Sequence, residues 1–377
     1  MAIAPSLDLQ DVFVAVRKEL QAKLIERDDE IRNALTAVAH GEHCLFFGPP
    51  GTAKSMLLDS IAEMVDGNRF SWLMTKSTQP DELFGPVKIE GLKNSTWERN
   101  TTGKLPEAVI AFLDEIFKGG SGVLNTTLKI LNERRMDNGG QLIHCPLRTC
   151  LAGSNEYPNN QEGGKELGAL FDRFLYRRTV KPVQGDAGLR RLIKRDNLDI
   201  VIDPSMQFTP AELTQVSAQV SQIDFGQDAE ECLFEIIKSC RRNGIRPGDR
   251  RMSKAMRSLQ SYAYIDGCSE VTDDHMEILS DVLWDDPEEQ PKEVAKIIGE
   301  IANPTGLIIN QRLLEVEQIM ADLDPKELDQ ATSASKKLRS IKSELKNFRT
   351  DKATKAADRI AGHLNEIKEA TMASLDF

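Results

Sequence analysis

The chain has 377 residues, with 48 Lys plus Arg against 59 Asp plus Glu, a net charge of −11, 40% hydrophobic and 28% charged residues. These values exclude a collagen-like, mucin-like or wholly disordered chain and leave room for two or three domains, each with its own core. No run of eighteen apolar residues is present, so no membrane-spanning helix is expected, and the acidic balance argues against bulk electrostatic binding of nucleic acid.

In chain order, the opening MAIAPSLDLQDVF has neither the basic flank nor the apolar core of a secretory signal. From Val12 to Ala39 apolar residues recur at helical spacing (Val12, Val16, Leu20, Leu24, Ile31, Leu35, Val38), which predicts one helical stretch ending at His40-Gly41-Glu42-His43. Cys44–Phe47 is a short apolar run before Gly48 and reads as a buried strand. Further strands are predicted near Phe70–Thr75, Val109–Leu113, Arg148–Gly153 and Phe174–Val180, with helices between them, notably Ser55–Val65 and Gly122–Asn132. Buried strands alternating with helices imply an α/β fold with a parallel sheet covered on both faces. Gly85–Gly103 reads as a hairpin, and Asn138-Gly139-Gly140 has hairpin-turn chemistry. Beyond Pro182 strand signals fade. Pro210–Val220, Ala229–Asn243, Arg251–Tyr264 and Thr272–Leu283 all have helical periodicity. Asp285–Pro291 is a polar, proline-containing hinge, and Lys292–Met320 is helical again. After Leu323 two more helices are predicted. Leu338, Ile341, Leu345 and Phe348, then Ile360, Leu364 and Ile367, form a seam suited to a helical hairpin or coiled coil.

The sharpest motif is GPPGTAKS: Gly48, Pro49, Pro50, Gly51, Thr52, Ala53, Lys54 and Ser55, with Met56 in the helix that follows. It sits between a strand and a helix, the context of a phosphate-binding loop. Glycines let backbone N–H groups face phosphates, and the helix N-terminus adds positive potential. Lys54 would reach the β- and γ-phosphates, and the Ser55 hydroxyl would ligate Mg²⁺. Ala53 stands where glycine is usual; helix-side geometry is expected to suit it. A second element lies 59 residues beyond Ser55: the apolar run Val109–Leu113 ends in Asp114-Glu115. Asp114 would hold Mg²⁺ through a water, and Glu115 would orient and polarise the attacking water. Together the two elements predict a nucleoside triphosphatase.

The sequence resembles the AAA+ ATPases and, more narrowly, the MoxR family and its RavA subgroup. The residues that carry this are GPPGTAKS, Thr75–Lys93, Thr101–Lys118, Leu124–Met136, Ala152–Pro158 and Ala169–Arg177, in order over roughly residues 12–310. The tail has no counterpart to the extra domain of the better-known RavA. With the element pattern above, the resemblance divides the chain into an N-terminal helical segment plus AAA+ nucleotide-binding domain over 1–182, an all-helical lid over 183–286 and a helical C-terminal extension over 287–377, hairpin-like after about residue 325 and there outside the resemblance. It implies that Asn155 is the sensor-1 amide, bonding the γ-phosphate and attacking water. It implies that Arg173 is an arginine finger for a neighbouring subunit, with Arg177 and Arg178 as competitors. Arg251 matches the sensor-2 position and would grip phosphate oxygens, with Arg250 as the alternative. The Gly85–Gly103 hairpin would point toward a central pore, where Lys88, Lys93 and Trp97 could touch a substrate, and the Asn138-Gly139-Gly140 hairpin would match the family's second one, before sensor 1; or both would only shape the ring interface. The implied machine is an oligomer, with a hexamer expected, that couples Mg-ATP hydrolysis between subunits to chaperone-like remodelling of a protein complex. A von Willebrand factor A-domain protein would be its partner.

The charge is unevenly spread. From Pro325 onward there are 11 basic and 8 acidic residues, so residues 1–324 carry −14, and Lys336–Arg359 alone holds nine basic and three acidic residues. That stretch keeps a second class open, a nucleic-acid motor or GTPase, although a tail whose aromatics are Phe348 and Phe377 lacks stacking platforms. A third class is a ring with structural nucleotide sites. The six cysteines form no C-x-x-C pair, which fits reduced thiols and a cytoplasmic location rather than a zinc site or disulfide framework.

Overall fold

The computed structural model describes residues 8–375 apart from 94–95, 158–163, 195–199, 201, 322, 324–327 and 349–350. The chain divides into two compact units, Met1–Ala295 and Lys296–Phe377. The α/β part and the lid helices therefore share one unit, and the tail boundary expected near Pro325 lies outside the described residues.

The first unit opens with two helices where one was expected, α1 (Leu9–Lys23) and α2 (Asp28–His40). The chain turns at Glu26, which adopts a left-handed φ of 53°. Its carboxylate accepts the N–H groups of Gln184 and Gly185 at 2.8 and 2.9 Å, a long-range contact that periodicity does not report. Asp28, Asp29 and Glu30 then begin α2, the charge sign favoured at a helix N-terminus.

The strands are β1 (Cys44–Phe47), β2 (Arg69–Leu73), β3 (Ile110–Asp114), β4 (Arg135–Asn138), β5 (Gln141–His144), β6 (Thr149–Ser154) and β7 (Tyr176–Thr179). Five of them form a sheet in the order β2-β3-β6-β1-β7, every neighbour parallel. All four residues of β1 and all six of β6 are buried, as expected of central strands covered on both faces. The connecting helices are α3 (Lys54–Glu63), α4 (Pro80–Phe84), α5 (Ile89–Lys93), α6 (Ser121–Glu133) and α7 (Gly164–Arg173). In this all-parallel order the carboxyl ends of the strands carry the phosphate loop, Asp114 and Asn155 at one edge of the sheet.

The two insertions differ. β4 and β5 are the hairpin that Asn138-Gly139-Gly140 predicts: Asn138 pairs with Gln141, and Gly139 and Gly140 have φ of 63° and 84°, as a two-residue type I′ turn requires. Among its described residues Gly85–Gly103 instead closes through the antiparallel bridge Val87–Arg99 and contains α5 rather than two paired strands; Asn94 and Ser95 lie outside the described residues. The two loops are tied together. Arg99 N–H donates to Asn138 Oδ1 at 2.6 Å, and Asn138 Nδ2 donates to the Arg99 carbonyl at 3.2 Å. Trp97 and Ile89 remain about seven-tenths exposed on this insertion, at 71% and 72%.

The lid comprises α8 (Asp186–Lys194), α9 (Pro210–Val220), α10 (Gln227–Arg242) and α11 (Asp249–Ile265), followed by a 3-10 segment over Asp273–Asp281 where an α-helix was expected. α9 starts on a capping box, Thr209 with Glu212, and has Pro210 in its first turn. α12 (Gln290–Ile301) spans the boundary between the units. The second unit contains α13 (Pro304–Ala321), α14 (Leu328–Leu345) and α15 (Asp351–Leu375). Ile309 and Val316 of α13 pack with Leu338, Ile341 and Leu345 of α14 and Ile360 and Ile367 of α15. The predicted seam is thus the core of a helical unit that also takes in α13.

Candidate active site

The phosphate loop begins where β1 ends. Gly48 donates its N–H to the Ser154 carbonyl at 3.1 Å, and Val180 N–H donates to the Phe47 carbonyl at 2.6 Å. Gly48 has a φ of 150°, and a Cβ there would lie inside van der Waals contact with the Val180 carbonyl oxygen. Gly51 follows at φ 80°. Ala53 departs from expectation. It sits at φ 63°, left-handed, as the N-cap of α3, and not in helix-side geometry. An L-residue adopts this conformation at a cost of about 1 kcal/mol, so the usual glycine preference is structural here and alanine tolerates it.

Lys54 is buried. Its ammonium donates to the carbonyls of Gly48 at 2.6 Å and Pro49 at 2.9 Å, and to Asn155 Oδ1 at 3.1 Å. Desolvation lowers its pKa, against the opposing pull of Asp114 and Glu115. The Ser55 hydroxyl donates to Asp114 Oδ2 at 2.9 Å. A hydroxyl and a carboxylate are hard oxygen donors of the kind Mg²⁺ takes alongside water and phosphate. Asp114 has room because Gly153 of β6 faces it; a Cβ on Gly153 would press on Asp114 Oδ1 at 2.7 Å.

Glu115 is the next residue and is also left-handed, at φ 52°. That turn swings its buried carboxylate off the strand toward Asn155. Asn155 Nδ2 donates to one carboxylate oxygen, Asn155 N–H approaches the other at 3.3 Å, and Lys118 Nζ lies 3.3 Å away. The Asn155 amide orientation is thereby set by a donor and an acceptor, Lys54 on its oxygen and Glu115 on its nitrogen. Lys54, Ser55, Asp114, Glu115 and Asn155 thus form one connected cluster at the carboxyl ends of β1, β3 and β6.

Sequence reading missed Arg27. Its Nε donates to the Thr52 carbonyl at 3.0 Å, so the turn between α1 and α2 braces the phosphate loop. Beside it is a cavity of about 440 Å³ lined by Glu26, Arg27, Arg178, Thr179, Lys181 and Gln184, among others. The signal available was the acidic run after Arg27, which marks a helix start but not its neighbour in space.

The arginines separate clearly. Arg177 is fully buried between the Phe171 and Trp284 rings, at 4.2 and 4.6 Å, and donates to Asp285 at 3.1 Å. Arg178 is engaged by Asp29, Glu30 and Asp281 of its own chain. Arg173 ends α7 with its side chain 22% exposed and one in-chain partner, Asp172 at 3.3 Å. Desolvation and then Arg250 lower its pKa, which places these two cations near each other.

Arg251 is not at the phosphate loop. It is 1% exposed, and its guanidinium donates to the carbonyls of Leu175 at 3.1 Å, Phe174 at 3.1 Å and Val282 at 3.2 Å, with Asp172 Oδ1 at 3.4 Å. Leu175 immediately precedes Tyr176, which pairs with Cys44 at the amino end of β1. Gly48 lies at the other end, about 16 Å away at 3.3 Å per residue. Arg251 is therefore held by backbone carbonyls away from the phosphate loop of its own chain. Arg250 and Arg173 share that amino end.

A cluster of Asp266, Cys268 and His275 has its ligand atoms within 4.8 Å of one another. The Thr272 N–H donates to His275 Nδ1 at 2.8 Å, which puts the imidazole proton on Nε2. Metal capture by Nε2 would then demand an imidazolate, so the geometry is that of a helix cap rather than an ion site.

Among the described residues no helix is long and apolar enough to cross a membrane. Residues 11–201 match the profile of the MoxR domain in the MoxR-vWA-beta-propeller ternary systems, and residues 228–298 match an AAA lid domain. An uncharacterised protein of Methanocaldococcus jannaschii is 37% identical over 82% of this chain and 78% of its own length. The chaperone MoxR1 of Mycobacterium tuberculosis is 26% identical over 43% of this chain and 42% of its own. A solved structure of a candidate ATPase from Cytophaga hutchinsonii superposes with a TM-score of 0.61 at 18% identity, covering 78% of this chain and 94% of that one, which speaks to the fold alone. With half of its length matched to that domain and the lid following in order, this chain belongs to the MoxR family of AAA+ ATPases.

Proposed function

We propose that this protein is an oligomeric ATPase whose active sites are completed by a neighbouring subunit and whose turnover remodels a partner protein complex. The observation that carries the reading is the division of parts between the two ends of one sheet. The binding and water-orienting groups, Lys54, Ser55, Asp114, Glu115 and Asn155, converge at the carboxyl ends of the strands. Arg173 and Arg250 lie at the amino end, on the order of 16 Å from the phosphate loop of their own chain. Cations so placed can serve a triphosphate only on another copy.

In this reading the loop amides and Lys54 hold the β- and γ-phosphates, and the cavity beside Arg27 takes the nucleoside. Ser55, and Asp114 through a water, would hold Mg²⁺, which would supply positive charge to offset that of the phosphates. An incoming γ-phosphate draws Lys54 away from the Asn155 oxygen, leaving that amide free to turn toward the phosphate and the attacking water. Glu115 accepts the water's proton as it attacks, and Arg173 of the neighbour stabilises the charge that builds on the transferring group. A protein with a von Willebrand factor A domain is the proposed partner, supported by the family's description as part of ternary systems. A hexamer and a RavA-like placement rest on the motif runs. The ordered loop pair Arg99–Asn138 with exposed Trp97 supports a contact surface for the remodelled protein.

Glu115→Gln tests the site. It keeps the side-chain shape and one hydrogen bond to Asn155 but removes the base. Nucleotide affinity should stay within about threefold while turnover falls by at least about 100-fold. Turnover at the parental rate would show that Glu115 does not handle the water.

A further inference from the structure

The second unit carries a feature that the nucleotide site does not use. Between α14 and α15 runs a groove of about 880 Å³. Its floor is Ala331, Ala361, Leu364 and Ile367. Its walls carry Lys336, Arg339 and Lys342 from α14 and Lys368 from α15, and among the described residues no carboxylate lines it. Among the described residues none of these four cations makes an ion pair; the carboxylate of Glu344 nearby is taken by Arg312 at 3.0 Å. Lys336, Arg339 and Lys368 are exposed.

Such an arrangement is unusual for a self-sufficient helical unit. Like charges at a spacing of three along one helix face repel, and Lys336, Arg339 and Lys342 keep that spacing with no acid interleaved among the described lining residues. The unit core does not include these cations: it is built from Leu338, Ile341 and Leu345 together with Ala331 and Ile367 under the groove. Alanines at two floor positions keep the groove deep enough for a backbone to come close. The stretch from Lys336 to Lys342 is about 9 Å long and that from Ala361 to Lys368 about 10.5 Å, close to two turns of an α-helix.

We propose that this groove is a docking site for an acidic amphipathic helix of a partner protein, its apolar stripe on Leu364 and the alanines and its carboxylates against Lys336, Arg339, Lys342 and Lys368. This is the helix-in-groove mode of recognition with charges setting partner choice. A nucleic acid fits less well. The described lining holds no aromatic side chain to stack a base, and an apolar floor offers nothing to phosphates. The proposal stands apart from the nucleotide site and would survive its failure.

The test uses the full chain and a fluorescein-labelled synthetic helix of roughly 16 residues with leucines at spacings of three and four flanked by glutamates. Anisotropy at physiological ionic strength should show saturable micromolar binding. A shuffled peptide of the same composition, without the stripe, should bind at least about tenfold more weakly, and the double variant Arg339→Glu, Lys342→Glu should lose at least about tenfold for the patterned peptide. Lys337→Glu with Lys346→Glu removes the same charge from outside the groove and should leave binding within about twofold. Circular dichroism melts of both variants control for folding. Equal binding of the shuffled peptide, equal loss in the control pair or no binding at all would overturn the proposal. So would a single-stranded or duplex oligonucleotide that binds more tightly than the patterned peptide and is lost with the same groove variant.

Discussion

Replacing Arg251 with alanine separates two roles that one arginine is asked to fill. If it is a phosphate sensor, the variant should fold normally and lose nucleotide affinity. If it is the buried tie between lid and sheet, the loss should appear in stability. The structure favours the second. Three backbone carbonyls, of Phe174, Leu175 and Val282, accept from this guanidinium at 3.1–3.2 Å, and Asp172 and Asp285 lie at 3.4 and 3.3 Å. Stranding a buried acceptor costs about 1–3 kcal/mol, and removing one partner from a buried charged network about 3–5 kcal/mol. Some carbonyls will find water, so about 3–5 kcal/mol in all is expected. At roughly 2 °C per kcal/mol for a unit of this size, the melting temperature should fall by about 6–10 °C. Arg251→Lys should recover only part, since an ammonium cannot fork to carbonyls on two segments. Arg250→Ala, by contrast, should melt within about 1 °C of the parent, as surface substitutions do. The assay is thermal unfolding with and without nucleotide, beside equilibrium nucleotide binding. An Arg251→Ala protein that melts like the parent yet binds ATP at least tenfold more weakly would refute the structural role.

Two further outcomes are expected. Gly48→Ala forces a methyl group against the Val180 carbonyl in a backbone region that L-residues rarely adopt, so nucleotide binding should be lost in titrations even in protein that remains folded; unchanged affinity would mean the loop is not held as described. Acid should destabilise the first unit through two histidines: burial pushes His40 down to about 3 and His43 well below its ordinary range, with nearby cations adding to both. Below pH about 6.5 the unfolded chain binds protons at both sites that the folded chain refuses, so stability falls as pH drops, by up to about 1.4 kcal/mol per histidine per pH unit until the folded values are reached. Urea melts at pH 7.5 and 5.5 should show this loss and His43→Gln should reduce it; a flat profile would contradict it.

Much of the site was legible because its chemistry is written locally. A strand, a glycine-rich turn and a helix are contiguous at Cys44–Glu63, and Asp114-Glu115 ends an apolar run. These patterns survive whatever packs around them. The left-handed turns at Ala53 and Glu115 were not legible, because neither residue type announces a positive φ; the surrounding sheet imposes it. Glu26 likewise breaks a periodic stripe for the sake of contacts with Gln184 and Gly185, far away in sequence. The burial of Arg251 was hidden for a related reason. Arg250 and Arg251 are adjacent, and which of them is buried depends on where α11 meets the start of β7, a matter of tertiary packing. The fate of Arg177 was also hidden, since its two ring partners, Phe171 and Trp284, are more than a hundred residues apart.

The central claim, that each active site needs a residue from another copy, is tested most directly by mixing two dead variants. Glu115→Gln keeps its arginine but has no base; Arg173→Ala keeps its base but has no finger. Each alone should be nearly inactive. Co-assembled in equal amounts, about a quarter of the interfaces should join an intact Glu115 to an intact Arg173, and ATPase activity should return to roughly that fraction of the parent. Mixed assemblies of normal size that stay as inactive as either variant alone would contradict the account.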